Sequence, residues 1–284
     1  MVKNRYKHKI FRSLLVIILS IPVLSFSQEE SSDDIAKKMQ NPLSSLIAVP
    51  VHHSFSFGAS QIEKTAYGVS FQPIFPFKFE KFNIVNRVIF GYGYVPGIVA
   101  GTQLIPQGAP QNGEVDGTWG LSDINYSFFL SPKTTHKIAW GVGPSINLPS
   151  ARDNRLGTGK WSVGPSIVAV YQAGRWTMDV VLRQTWSVGG DHLRRDVNQF
   201  VATPLVAYSL GNGYMLSTFP SISANWDFEE GQRWTIPVGG GLSKVLFLGK
   251  LPVAVAAQYY QNVVRPDFAA NSEFRISTTF ILAK

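Results

Sequence analysis

Between residues 175 and 187 the chain reads Arg175-Trp176-Thr177-Met178-Asp179-Val180-Val181-Leu182-Arg183-Gln184-Thr185-Trp186-Ser187. Successive side chains of an extended strand point to opposite faces. Trp176, Met178, Val180, Leu182 and Trp186 therefore share one side, interrupted only by Gln184, while Thr177, Asp179, Arg183 and Thr185 share the other. The apolar side carries a Trp at each end. A soluble barrel would turn its apolar face inward and a heavily charged face to water. An apolar face bounded by indoles and opposed by a thinly charged polar face fits lipid outside and a wet lumen inside.

The same alternation recurs along the chain. Phe200, Ala202, Pro204, Val206 and Tyr208 oppose Gln199, Thr203 and Ser209; Leu251, Val253, Val255, Ala257 and Tyr259 oppose Gln258 and Asn262. Phe274, Ile276, Phe280 and Leu282 oppose Glu273, Arg275, Ser277 and Thr279. Twelve such runs can be drawn, at about 51–59, 66–79, 83–95, 117–131, 135–148, 160–172, 175–188, 198–210, 213–227, 232–248, 251–264 and 272–283. Most exceed the roughly 9–11 residues that a tilted strand needs to cross a bilayer. Their connections alternate: tight turns around residues 80, 132, 173, 211 and 249, and longer polar links at 96–116, 149–159, 189–197, 228–231 and 265–271. Short turns at one end and longer loops at the other are the plan of an outer-membrane barrel with both termini on the periplasmic side. Pro73, Pro76, Pro144, Pro165, Pro204, Pro220, Pro237 and Pro252 fall in or near these runs and are expected to mark bulges or kinks.

The formal charge of +8 would suggest a nucleic-acid or membrane-surface protein, but its location removes that reading. Lys3, Arg5, Lys7, Lys9 and Arg12 lie in a leader with an apolar stretch from Leu14 to Leu24 and a small, polar run at Ser25-Phe26-Ser27-Gln28, the order of a secretory signal peptide cleaved after Ser27. Without those five the chain has 21 basic residues against 18 acidic ones, and no nucleic-acid partner is expected. Only 15% of all residues are charged, against about 25% in a soluble domain. The absence of cysteine excludes disulfides, thiolate metal sites and a lipid-modified N-terminal cysteine. The expected organisation is a signal peptide at 1–27, a periplasmic N-terminal segment at 28–50 with a short amphipathic helix that sets Ile35 and Met39 on one side, and a barrel at 51–284.

The chemistry-like motifs are weak. Arg155-Leu156-Gly157-Thr158-Gly159-Lys160 lacks the first Gly of a phosphate loop and has Trp161 where Ser or Thr is needed. His52 and His53 are adjacent, point to opposite faces and cannot share a metal. Asp227, Glu229 and Glu230 form an acidic tip for which a solvated turn is the default over calcium. His192 near Ser187 permits a barrel-hydrolase reading, with no nucleophile context to support it. No catalytic residue, metal or cofactor is expected. Arg87, Asp123, Asp179, Arg183, Glu273 and Arg275 have the parity to line the lumen, where they pair or border a permeation path. Arg194 and Arg195, in an outer loop, are candidate contacts for lipopolysaccharide phosphates.

Several motifs carry a family resemblance: Gly120-Leu121-Ser122-Asp123-Ile124, Trp140-Gly141-Val142-Gly143-Pro144, Leu156-Gly157-Thr158-Gly159-Lys160-Trp161-Ser162-Val163-Gly164-Pro165, Trp186-Ser187-Val188-Gly189-Gly190, Asp196-Val197-Asn198-Gln199 and the run from Arg233 to Gly241. With them the sequence resembles the Gram-negative outer-membrane barrel family labelled for the meta-pathway of phenol degradation, whose members are often called transporters. The resemblance implies a passive channel or uptake barrel for small, hydrophobic or aromatic molecules, with outer-membrane lipid, lipopolysaccharide and the barrel-assembly machinery as partners. A non-conducting structural or adhesive barrel is the alternative.

Overall fold

The computed structural model describes residues 31–59, 64–99, 114–133 and 137–283, so the leader expected at 1–27 lies outside the described residues. Among the described residues one helix, α1 (Ser32–Met39), precedes the strands. In chain order these are β1 (Ile47–Ala59), β2 (Lys64–Phe71), β3 (Ile74–Lys78), β4 (Phe82–Val95), β5 (Ile98–Val99), β6 (Glu114–Val115), β7 (Thr118–Leu121), β8 (Ile124–Pro132) and β9 (Ile138–Leu148). They continue with β10 (Lys160–Ala173), β11 (Trp176–Gly190), β12 (Asn198–Gly211), β13 (Tyr214–Thr218), β14 (Ile222–Asn225), β15 (Trp234–Leu248), β16 (Leu251–Val264) and β17 (Ser272–Ala283). The pairs β2/β3, β7/β8 and β13/β14 each form one interrupted stave, and β5 with β6 makes a separate two-stranded ladder, leaving twelve staves in the wall.

Each stave pairs antiparallel with its neighbours in sequence, and β1 pairs with β17 from Ile47↔Ala283 to Phe57↔Ser272, so the sheet closes into a barrel. The first stave begins at Ile47, four residues before the expected start, because Ala48 and Val49 find partners in Ile281 and Phe280.

Parity settles what faces out. By register, all seven Trp residues lie on the outer face, and Trp119, Trp140, Trp161, Trp176, Trp186 and Trp226 are among its exposed large side chains. Trp140 and Trp176 lie toward the short turns, and Trp119, Trp161, Trp186, Trp226 and Trp234 toward the long loops, giving an aromatic girdle at each rim. Polar residues on this face are satisfied locally. Gln184 accepts from Trp226 Nε1 at 3.0 Å and donates to Asn198 Oδ1 at 3.0 Å. Asn86 accepts from Tyr126 Oη at 2.7 Å, and Lys244 reaches Tyr214 Oη at 2.9 Å near the turn rim, its stem lying along the apolar wall.

The prolines divide into two sets. Pro73 separates β2 from β3, Pro220 separates β13 from β14, and Pro237 sits at a register shift against β16. Pro144 faces Pro165 across β9 and β10 without any shift, so these two do not mark the expected irregularity. The glycines beside that pair explain the tolerance: a Cβ on Gly143 would lie 1.9 Å from Phe128 O and one on Gly164 1.9 Å from Gln184 O. The backbones approach too closely there for any side chain, whereas a Cβ on Gly68 would meet nothing within 4 Å. Gly164→Ala should therefore destabilise the barrel by about 1–3 kcal/mol or more, while Gly68→Ala stays within about 0.5 kcal/mol. The urea midpoint of the heat-modifiable gel band, measured on both variants, checks this contrast.

Candidate functional site

The lumen is the site, and its floor comes from the N-terminal segment. Ser31 caps α1, its Oγ accepting from Asp34 N at 3.1 Å, with Asp33 and Asp34 in the first turn and Lys37 and Lys38 in the last, as the helix dipole favours. Eight residues make a helix too short to hold alone, so packing decides. Ile35, Ala36 and Leu46 are buried against Ala207, Met215, Val245 and Ile281, with Met39, Leu205 and Ala254 at the edge. Burying one Ile or Leu side chain is worth about 1.5–3 kcal/mol. Polar ties fix the orientation: Gly213 N donates to Asp33 Oδ1 at 2.6 Å and Gln172 Nε2 donates to Lys37 O at 2.9 Å. The segment expected as a periplasmic tail thus seats in the turn end of the barrel.

Above this floor is a chamber with about 1060 Å³ of space free of protein atoms, open mouth included. Its lining mixes the apolar side chains of Met39, Ile74, Val181, Leu205 and Val245 with the polar ones of Arg87, Asp179, His52, Gln72 and Gln258. Ile74 lies in register beside Arg87, and Leu205 beside Asp179. Arg87 Nη2 donates to Gln72 Oε1 at 2.6 Å, and His52 Nδ1 lies 2.7 Å from Ser277 Oγ. His53, one residue on, meets Tyr67 Oη on the outer face at 2.8 Å, as expected for adjacent strand residues.

Toward the loops one wall segment turns inward. Phe219-Pro220-Ser221 leave the ladder between β13 and β14, and Phe219 turns into the chamber. Phe219 N donates to Tyr260 Oη at 2.9 Å and Arg275 Nη1 donates to Phe219 O at 3.0 Å. Arg275 also lies over the Tyr260 ring at 5.0 Å and pairs with Glu273 at 2.8 Å, which accepts from Ser54 Oγ at 2.7 Å. On the opposite wall Arg183 Nη1 donates to Asn125 Oδ1 at 2.6 Å, and Asn125 Nδ2 donates to Ser145 Oγ and Asn147 Oδ1. Of the six residues with lumen parity, Arg87 and Asp179 thus line the chamber, while Arg183, Glu273 and Arg275 lie above it. Tyr260 and Phe219 were not singled out in the sequence and His52 was weighed only as a metal ligand, although strand parity marks Tyr260 and His52 as inward once Gln258 and Ser54 are.

Asp123 has another task. Its Oδ1 accepts from Ala151 N at 3.1 Å and its Oδ2 from Thr158 N at 2.6 Å and Thr158 Oγ1 at 2.9 Å, so it fastens the loop 149–159 against the wall. Arg194, expected to meet external anions, spends its guanidinium on the same loop, donating to Asn154 Oδ1, Asn154 O and Gly157 O. Arg195 borders a shallow rim pocket with Asp196, Asp227 and Glu229. Arg155 pairs with Asp153 at 2.8 Å and donates to Asp116 O. Hydrogen bonds from Arg155 hold the Asp153 carboxyl well below the usual carboxylate range. A depressed pKa gives stability that is present above the unfolded value and lost only as pH falls through the folded one. Backbone exchange protection of 149–159 should therefore persist from pH 7 down to about pH 4, the ordinary carboxylate value, and fail only in stronger acid. Asp123→Ala should expose the loop to protease and exchange at neutral pH while the barrel stays heat-modifiable.

The fold is shared with outer-membrane proteins of solved structure. An outer membrane channel from Pseudomonas putida F1 superposes with a TM-score of 0.59 at 14% identity, over 84% of this chain and 96% of the other. The NanC porin superposes with a TM-score of 0.50 at 11% identity, over 82% and 100%. A search of curated proteins returns no match to the sequence. Residues 74–243, well over half the chain, match the sequence profile described as "Putative MetA-pathway of phenol degradation", and the chain belongs to that family of barrels.

Proposed function

We propose that the protein is an outer-membrane channel that admits small molecules, hydrophobic or aromatic ones included, by passive permeation. The observation that carries this reading is the chamber: a closed wall encloses a cavity lined by both apolar and polar side chains, bounded below by a docked helix and not by the wall itself. A floor held by side-chain packing can yield where a closed wall of continuous backbone hydrogen bonds cannot. The wall has aromatic girdles on its outer face, which supports insertion in the outer membrane. The structure cited above from Pseudomonas putida F1 is described as an outer membrane channel and NanC as a porin, and both descriptions agree with the reading.

The same reading assigns the protein no catalytic step. A hydrolase would need Ser187 activated by His192, but Ser187 Oγ donates to Asp196 Oδ1 at 3.1 Å and accepts from Val197 N at 3.1 Å. Asp196 also accepts from Lys160 Nζ at 2.9 Å, and these two bonds hold its carboxyl below the usual range. A ring of polar contacts at the rim accounts for these residues.

The test is to undock the floor. Ile35→Asp with Met39→Asp places two carboxylates in the apolar cluster and should raise single-channel conductance in planar bilayers severalfold, with liposome swelling rates for small neutral sugars rising alongside. Silence of both the parent and the undocked barrel in both assays would instead establish a non-conducting structural or adhesive protein.

A further inference from the structure

The distribution of charge in the lumen specifies more than permeability. Glu273 is engaged by Arg275 and Ser54. Besides the His52 imidazole, which lies against Ser277 Oγ, the inward ionisable groups that remain near the chamber are Arg87, Arg183 and Asp179, two guanidinium groups against one carboxylate. Among the described residues neither Arg87 nor Arg183 is in ion-pair contact with a carboxylate; their hydrogen-bond partners are the neutral amides of Gln72 and Asn125. Arg87 Nε is buried and has no hydrogen-bond partner, and the side chain lies on the chamber wall. A neutral amide satisfies donor geometry but leaves the charge uncompensated, which is costly away from bulk water.

Beside these charges the chamber lining is apolar: Ile74 pairs in register with Arg87, Leu205 with Asp179, and Met39 of the docked helix joins them. We propose that the chamber is a binding site for a small amphipathic monocarboxylate, its carboxylate on Arg87 and its apolar body against Met39 of the docked helix and Ile74 and Leu205 of the wall. The inference rests on the permeation reading and names the solute class for it. The planar guanidinium matches a carboxylate in geometry as well as sign. A cation would add a third positive charge, a neutral molecule would leave the excess in place, and a dianion would set a surplus negative charge against Asp179.

The experiment uses the intact barrel in zwitterionic nanodiscs, with empty nanodiscs as reference, and equilibrium dialysis against two probes that share a ring, benzoate and benzyl alcohol. Benzoate should bind about tenfold or more tightly than benzyl alcohol, the scale of a charge-assisted hydrogen bond. Arg87→Gln should erase that difference without weakening benzyl alcohol, and Asp179→Asn should tighten benzoate severalfold. Heat-modifiable migration reports folding for each variant, and the two substitutions move affinity in opposite directions, which a general loss of structure cannot do. Equal binding of both probes, unchanged by either substitution, overturns the proposal, as does displacement of benzoate by equimolar chloride. Liposome swelling with a neutral sugar, measured on the same preparations, reads the permeation function independently: swelling without benzoate preference leaves the channel and removes the carboxylate site.

Discussion

Hydrocarbon offers a peptide group nothing to bond to, so a strand can lie against it only if both of its edges are paired. Twelve staves satisfy that condition in one way, by bringing the last strand back to the first, and the ladder of β1 on β17 does so over eleven paired positions. Everything else in the molecule is fitted around this closure. The outer face is apolar because lipid touches it, and its few polar side chains, Gln184, Asn86 and Lys244, each find a partner within the wall or at its rim. The inner face is free to be polar because it is not asked to hold the sheet together.

The interior is organised in layers. The docked helix packs at the turn end with an apolar cluster, the chamber lies above it, and the segment at Phe219 faces the chamber where Tyr260 and Arg275 pin it. Asp123, Thr158 and Arg194 then bind the loop 149–159 at the opposite rim. Each layer uses a different interaction: desolvation of Ile35 and Leu46 below, charge and amide hydrogen bonds at mid-height, and backbone carbonyls and carboxylates at the rim. Their strengths respond differently to salt and acid, with the apolar floor the least sensitive of the three.

The wall was legible from the chain because a period of two is imposed by the strand itself, and every side chain from Trp176 to Trp186 falls on the face that parity assigns. For the same reason eleven of the twelve stave beginnings fall within three residues of the expected positions, four of them without any shift. What parity could not supply was where a segment goes once it leaves the strand. The amphipathic pattern of Ile35 and Met39 marks a helix seeking an apolar surface, but the surface is assembled from Ala207, Met215, Val245 and Ile281, which come from four separate strands. Asp123 shows the same limit: its inward parity is visible, whereas its engagement by Thr158 depends on how a loop 35 residues away folds back. Pro144 and Pro165 were misleading singly and make sense only as a facing pair flanked by glycines that allow the strands to close in.

The composition of the floor also sets an order of events. Its cluster joins Ile35 and Leu46, which precede the first strand, to Ile281 in the last. The wall residues of that surface lie on β12, β13, β15 and β17, which follow one another in the sheet with β16 between the last two, so the surface is whole only once β17 has paired with β16. The seated helix is therefore an internal record that the last strand has been added: a sheet without it lacks part of the surface that the helix covers.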